Sequence, residues 1–335
     1  MPPRATPPVT VRRGPTAPAS GSGRRRTPLS ALAARLTPRD LWLLDMLAEH
    51  TVLTSHHITD LAYTGHRSAN RRLHTLHGLG LLDSFRIRQQ IGSGPEHYVL
   101  GQTGAALLAA RHATTPAALG WHPEHASRTA YNPALTHNLG VATLFTQLVS
   151  PPADNLGTAA AWWSELRCER TFGDLIHPDG YGRLSHRDHS SAFFVEYDTG
   201  TEALTRLLAK LDDYREAARA LAGRPLVLFT LHSARREQNL HHRLTGHPAL
   251  TEVAVATTAR DTPADGRETH HPAEAVWLPA GRPSHRTRLL DLPAAWPAAG
   301  QPTDPAVTLT DAFPLPAPDP APPTGLWQAG HLQQN

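Results

Sequence analysis

Two short acidic clusters and one lysine carry the strongest chemical signal in this chain. His177-Pro178-Asp179 and Val195-Glu196-Tyr197-Asp198 are followed by Lys210, the one lysine among 32 basic side chains. The Ala/Pro/Arg-rich composition suggests high-GC coding, which replaces lysine with arginine wherever only a charge is needed. A surviving lysine is then a candidate for chemistry that arginine cannot do, because an ammonium is a compact point charge whose pKa can shift. Together the three features read as a degenerate metal-dependent nuclease site. Phosphodiester hydrolysis uses one or two divalent ions held by hard oxygen ligands, with Mg2+ the expected ion. Asp179 and Glu196 from adjacent strands, and Asp198 on the same side of its strand as Glu196, are the candidate metal ligands. Asp198 stands where a lysine normally orients the attacking water, so Lys210 is expected to complete the catalytic set from the following helix. It lies about 13 Å along that helix from Thr201. Glu165, in Trp162-Trp163-Ser164-Glu165, is a further carboxylate within reach of such a site. Each part also has a plainer reading: a Pro-Asp turn, solvated strand carboxylates, or a lysine left by chance on an exposed helix face.

The elements that must position these residues follow a recognisable order. A helix begins at Asn132-Pro133-Ala134 and carries Leu135, Leu139, Val141, Leu144, Phe145 and Leu148; Pro151-Pro152 ends it. Three strand-like runs come next, Ala160 to Cys168, Tyr181 to Leu184 and Ala192 to Tyr197. A long helix from Glu202 to about Leu221 follows, with Leu204, Leu207, Leu208 and Leu211 inward and Lys210 at the border of that stripe. Leu226-Val227-Leu228-Phe229 reads as a buried strand, Ser233 to Leu244 as a polar helix, and Val253 to Ala256 as another strand. The order α-β-β-β-α-β is the core order of the restriction-endonuclease-like fold.

A separate unit precedes it. Thr37-Pro38-Arg39-Asp40 is a helix start, with Thr as cap, Pro first and an acid at the third position. Leu41, Leu44, Met46 and Leu47 form the apolar stripe. A second short helix follows Leu53-Thr54, and a third runs from about His66 to Leu79 with Ala69, Leu73, Leu76 and Leu79 on its buried face. Leu81 to Arg88 alternates like a strand, Ile91-Gly92-Ser93-Gly94-Pro95 turns, and His97-Tyr98-Val99-Leu100 returns. Three helices and a glycine-tipped hairpin make a winged helix-turn-helix, whose third helix enters the major groove while its wing meets phosphates. Arg67, Asn70 and Arg71 are placed to reach base edges, His74 continues that face, and Arg86 and Arg88 are placed for the backbone of double-stranded DNA. A winged helix used for protein docking is the competing reading.

Charge distribution supports the nucleic-acid reading. Residues 1–30 hold six arginines and no acid, and residues 66–88 hold five arginines against Asp83, while the chain as a whole is only +3. Positive charge is therefore focused on an arm and one short segment. The 31 prolines concentrate near both ends, so residues 1–34 are expected to be a disordered basic arm and residues 261–335 a Pro-rich, mostly irregular tail. The folded units are then expected over residues 35–118 and 130–260. One cysteine, Cys168, precludes an internal disulfide and argues for a reducing cytoplasm. No run of about 18 apolar residues occurs, so no membrane partner is expected. The 22 histidines include several close pairs, but structural zinc favours cysteine-containing sets, and Cys168 has no partner at ligand spacing.

Several segments resemble the replication-relaxation family. They are Leu36-Thr37-Pro38-Arg39-Asp40 with Leu43-Leu44, Arg71-Arg72-Leu73 to Gly80-Leu81-Leu82, and His97-Tyr98-Val99-Leu100-Gly101. Phe193 to Glu202 with Lys210 and Tyr214, and Ser233-Ala234-Arg235-Arg236-Glu237, belong to the same resemblance, which covers about residues 35–260. It implies a bacterial protein of plasmids or integrated mobile elements, tied to plasmid replication and relaxation. A two-histidine strand-nicking relaxase would need a His-apolar-His triplet, and none occurs. The combined expectation is a DNA-binding protein of plasmid or mobile-element replication or mobilisation, with replication or mobilisation proteins as further partners. Its second unit is expected to act as a metal-dependent nuclease or nickase. The alternatives are a catalytically inactive DNA-binding regulator and a relaxosome-type scaffold.

Overall fold

Thr37 and Asp40 begin the first helix of the N-terminal unit by capping each other. The Thr37 backbone N–H donates to Asp40 Oδ2 at 2.7 Å and the Asp40 N–H to Thr37 Oγ1 at 3.3 Å, which satisfies donors a helix start leaves open. The computed structural model describes residues 9–14, 29–87, 94–151, 153–261, 271–281, 285–304, 306, 309, 311 and 313–323. They fall into two units, Met1–Leu139 with Ala321–Asn335, and Gly140–Pro320. Both mix helices and sheets, an α+β architecture. Arg88, the turn residues Ile91-Gly92-Ser93 and most of the basic arm lie outside the described residues.

In the first unit the elements are β1 (Val9–Arg12), α1 (Leu29–Ala33), α2 (Pro38–His50), β2 (Leu53–Thr54), α3 (Ser55–Ala62) and α4 (His66–Gly78). β3 (Leu82–Ile87), β4 (His97–Leu100), α5 (Gln102–Arg111) and α6 (His125–Ala130) follow. Leu43, Leu44, Met46 and Leu47 of α2, Ile58 and Leu61 of α3, and Ala69, Leu73 and Leu76 of α4 are all buried. α4 stops because Gly80, at φ 71°, takes the left-handed conformation. Its N–H then bonds to His77 O at 2.9 Å and that of Leu81 to Leu76 O at 3.0 Å, the paired closure of a Schellman end.

The sheet runs β1-β3-β4-β2, antiparallel throughout. β1 falls in the arm expected to lack structure. Val9 and Val11 alternate with polar neighbours and pack beside Phe85 and Val99, so this stretch completes an apolar layer. Gly104 lets α5 approach the chain closely, since a Cβ there would sit 2.2 Å from the Leu81 carbonyl oxygen. Gly104→Ala is expected to lower unfolding free energy by about 1–3 kcal/mol; an unshifted denaturant midpoint would contradict that packing.

The boundary between the units falls inside α7 (Leu135–Val149). The second unit continues with β5 (Thr158–Ser164), α8 (Glu165–Phe172), β6 (Gly180–His186), β7 (His189–Tyr197), α9 (Leu204–Ala220), β8 (Leu226–Leu231) and α10 (Ala234–Leu244). β9 (Ala254–Ala259), β10 (Ala275–Pro279) and β11 (Thr287–Arg288) complete its seven-stranded sheet, ordered β5-β6-β7-β8-β9-β10-β11. β5, β6 and β7 are antiparallel, β7, β8 and β9 parallel, and β9, β10 and β11 antiparallel. Residues alternate across β7. Phe194 joins Leu207, Leu211 and Tyr214 of α9 and Leu240 and Leu244 of α10 on one face. On the other, Phe145 of α7 stacks on Trp162 at 5.2 Å and Phe193 at 6.1 Å.

Two differences from the sequence expectation concern this unit. The run expected to be one strand to Cys168 ends at Ser164, whose hydroxyl accepts from Arg167 N at 3.2 Å and caps α8. An extra helix is thus inserted into the expected order, and Cys168 is a buried helical residue. The segment after residue 260, expected to be mostly irregular, also supplies β10 and β11. Trp277, Leu289 and Leu292 are buried there. Asp304 accepts from Tyr181 Oη at 2.7 Å, and the fully buried Arg167 pairs with Asp311. These anchors outweigh the local tendency of proline-rich sequence to stay unpacked. Among the described residues, no helix is long and apolar enough to cross a membrane.

Candidate functional site

The strand alternation that buries Phe194 also sends Glu196 toward α9. There Lys210 and Tyr214, one helical turn apart, meet its two carboxylate oxygens. Lys210 Nζ donates to Glu196 Oε2, and Tyr214 Oη donates to Oε1 at 2.7 Å. Asp179, immediately before β6, is fixed by the Tyr197 N–H donating to its Oδ2 at 2.6 Å. Its Oδ1 stands 3.7 Å from Lys210 Nζ. Residues far apart in the chain thus converge: two acids from neighbouring strands share one ammonium.

Burial sets the electrostatics. Glu196 is 1% exposed; burial, reinforced by the charge of Asp179, pushes its carboxyl up to about 8. Burial works against the charge on Lys210, but Glu196 and Asp179 outweigh it and raise the ammonium above the ordinary lysine range. Burial and the neighbouring Glu196 push the Tyr214 phenol well above its usual value, which keeps it a hydrogen-bond donor.

Asp198 does not join this group. It lies just past the end of β7, 4% exposed, and Arg236 at the start of α10 holds both of its carboxylate oxygens, Nη2 reaching Oδ1 at 2.8 Å. The Gly200 N–H adds a bond to Oδ1 at 3.1 Å. Arg260 Nη2 donates to the Asp198 carbonyl at 2.7 Å. Glu165 opens α8 instead of lying on a strand. Asp179 and Glu196 fit a hard divalent ion in kind, since Mg2+ is commonly held by one or two carboxylates plus waters and substrate phosphates. Asp198, committed to a guanidinium, does not fit that set. Among the described residues no group of three or more His, Cys, Asp or Glu side chains is placed to hold a metal ion.

Tyr214, Arg236 and Arg260 were not singled out as site residues by chemistry. Tyr214 had a readable signal, its i+4 spacing from Lys210. Arg236 and Arg260 act across long sequence separations and left none.

In the first unit Arg67, Asn70, Arg71 and His74 lie together on the exposed face of α4, opposite Ala69, Leu73 and Leu76. Arg72 faces the other way and donates to Asp40, a buried carboxylate. Arg86 on β3 is half-committed: its guanidinium pairs with Glu96 at 2.8 Å. An open groove between α4 and the β3–β4 hairpin is lined by Asn70, His74, His77, Arg86, Glu96 and Tyr98. Two of the five arginines counted in this segment are thus neutralised internally, and Arg67 and Arg71 remain exposed without a carboxylate partner among the described residues. Arg88 lies outside the described residues.

Residues 44–226 match the family model described as replication-relaxation, a span that takes in α4 and the Asp179–Glu196–Lys210 group. No curated protein and no solved structure matches the chain.

Proposed function

This chain belongs to the replication-relaxation family, and from that premise we propose a DNA-binding protein of plasmid or mobile-element replication or mobilisation. In this reading the first unit is a winged helix-turn-helix that sets α4 in the major groove of duplex DNA. The second is a restriction-endonuclease-like domain that cleaves or nicks a strand at Asp179, Glu196 and Lys210. The observation that carries the reading is the Lys210 ammonium meeting Glu196 and facing Asp179. In this class of site the lysine need only arrive at the right point in space, and a helix one element later delivers it here.

A divalent ion such as Mg2+, when bound, supplies Lewis-acid activation of water and stabilisation of the leaving oxygen. Asp179 and Glu196 would hold it. Lys210 orients the attacking water and offsets phosphate charge, and Tyr214 fixes the Glu196 carboxylate from behind. Conversion of supercoiled plasmid by the wild type but not by Lys210→Met tests this assignment. Equal conversion by both would remove Lys210 from it.

A second reading, a catalytically inactive DNA-binding regulator or relaxosome-type scaffold, is favoured by Asp198 being committed to Arg236 and by both Glu196 oxygens having internal partners. DNA binding is common to both readings. Arg67→Ala with Arg71→Ala is expected to flatten the log–log salt dependence of duplex affinity by about 2, at about 0.9 for each phosphate no longer neutralised. Anisotropy of a labelled duplex over a salt series measures it, and an unchanged slope would exclude α4 as the DNA-facing surface.

A further inference from the structure

The face of β7 that looks away from Lys210 borders a cavity that the proposed chemistry does not use. It has a volume of about 230 Å³ and sits at the carboxyl ends of the parallel strands β7, β8 and β9. Tyr197, Thr230 and Thr258 contribute to it from three adjacent strands, and Thr143 and Gln147 of α7 form the opposite wall. The carboxyl ends of strands in an open α/β sheet are where such folds receive ligands, because side chains from several strands converge there.

Three properties narrow the ligand. First, the wall is polar but uncharged apart from Arg260, and no carboxylate lines it among the described residues, so an anion is favoured over a cation. Second, Arg260 is held in place by donating to Thr230 O at 2.9 Å and Asp198 O at 2.7 Å. Its guanidinium lies 4.2 Å from the Tyr197 ring centroid. The pair is a fixed planar surface of the kind on which bases stack, with a charge suited to phosphate. Third, Thr230 Oγ1 is buried without a hydrogen-bond partner, although buried hydroxyls are nearly always paired. Threonine hydroxyls and the Gln147 amide each donate and accept, which suits the mixed edge of a nucleobase. The volume falls below the range of about 300–1,000 Å³ usual for drug-sized ligands, so it suits one ring system and not a dinucleotide.

We propose that this cavity is a binding site for a single nucleotide, its base against the Tyr197–Arg260 surface and the threonine hydroxyls, its phosphate toward Arg260. The nucleotide is either free or an unstacked unit of a DNA strand. The site does not depend on cleavage at the opposite face of the sheet.

The test is photocrosslinking of the full chain with 5-iodo-2′-deoxyuridine monophosphate, and separately with a short single-stranded oligonucleotide carrying one 5-iodouracil. Adducts are mapped by mass spectrometry, and the affinity of the monophosphate and the oligonucleotide is measured in parallel. An adduct on Tyr197 with the monophosphate identifies a free-nucleotide site. An adduct there with the oligonucleotide alone identifies a site for an unstacked strand. Thr230→Val, which keeps side-chain shape and removes only the hydroxyl, is expected to weaken the crosslinking ligand about tenfold. Arg260→Gln is expected to weaken it at least as much, while Glu196→Gln leaves it unchanged. No adduct on Tyr197 from either probe, with Thr230→Val binding as the wild type does, would overturn the proposal.

Discussion

Arg236→Met is expected to lower unfolding free energy by about 3–5 kcal/mol, the cost of leaving a buried carboxylate without its counter-ion. Asp198 is 4% exposed, and Arg236 is its one cationic side-chain partner among the described residues. The fork geometry matters as well as the charge. Nε and Nη2 take one carboxylate oxygen each, and Nη2 also reaches the Glu202 carbonyl. The remaining bonds from Gly200 N and the long 3.5 Å approach of His232 N cannot replace a charge. Neutralising the partner should remove the penalty, so Asp198→Asn combined with Arg236→Met is expected to recover most of the stability. Urea denaturation of the two single variants and the double variant reads this out. A single-variant loss below about 1 kcal/mol, the worth of an exposed pair, would mean that Asp198 is not held as described.

Glu196→Gln is expected to abolish strand cleavage, a loss of at least about a hundredfold, while changing the pH dependence of stability in a direction the site dictates. The folded-state carboxyl sits near 8 against a reference of 4.5, so between those values the folded chain holds a proton that the unfolded chain has released. Folding stability from this group is therefore full below about 4.5 and lost as pH rises through about 8. Glutamine has no such proton. The stability of Glu196→Gln relative to wild type should climb across that window and level off above it. The raised Lys210 value places its own contribution below the lysine range, to be lost only at higher pH, outside the glutamate window. Thermal unfolding at pH 5, 6, 7, 8 and 9, about one step per unit, checks the trend. A difference constant with pH would contradict a raised carboxyl at this position.

Elements with a complete local signal were legible from residues alone. Thr37 and Thr54 cap α2 and α3, the stripe Ala69, Leu73 and Leu76 marks α4, and the leucines around Lys210 mark α9. The meeting of Lys210 with Glu196 followed from strand alternation, helix rise and the place of the lysine beside the apolar stripe. What was hidden depends on distant partners. A strand run and a helix run abut at Ser164 with no glycine or proline between them, so α8 was absorbed into the strand. β1 needs β3, and β10 needs β9, and neither pairing is written in its own segment. Asp198 looked like a third ligand because its partner, Arg236, lies 38 residues away. Side-chain type and spacing thus located the acids, and only packing separated the two that face Lys210 from the one that does not.

The most direct measurement is conversion of supercoiled plasmid to nicked or linear form in Mg2+ or Mn2+, with wild type beside Glu196→Ala. Both proteins should be matched for duplex binding at the same salt. Nicked or linear product from the wild type alone, suppressed by EDTA, is the expected result. No conversion by either protein while both still bind DNA, or equal conversion by both, would contradict a cleavage centre at Asp179, Glu196 and Lys210.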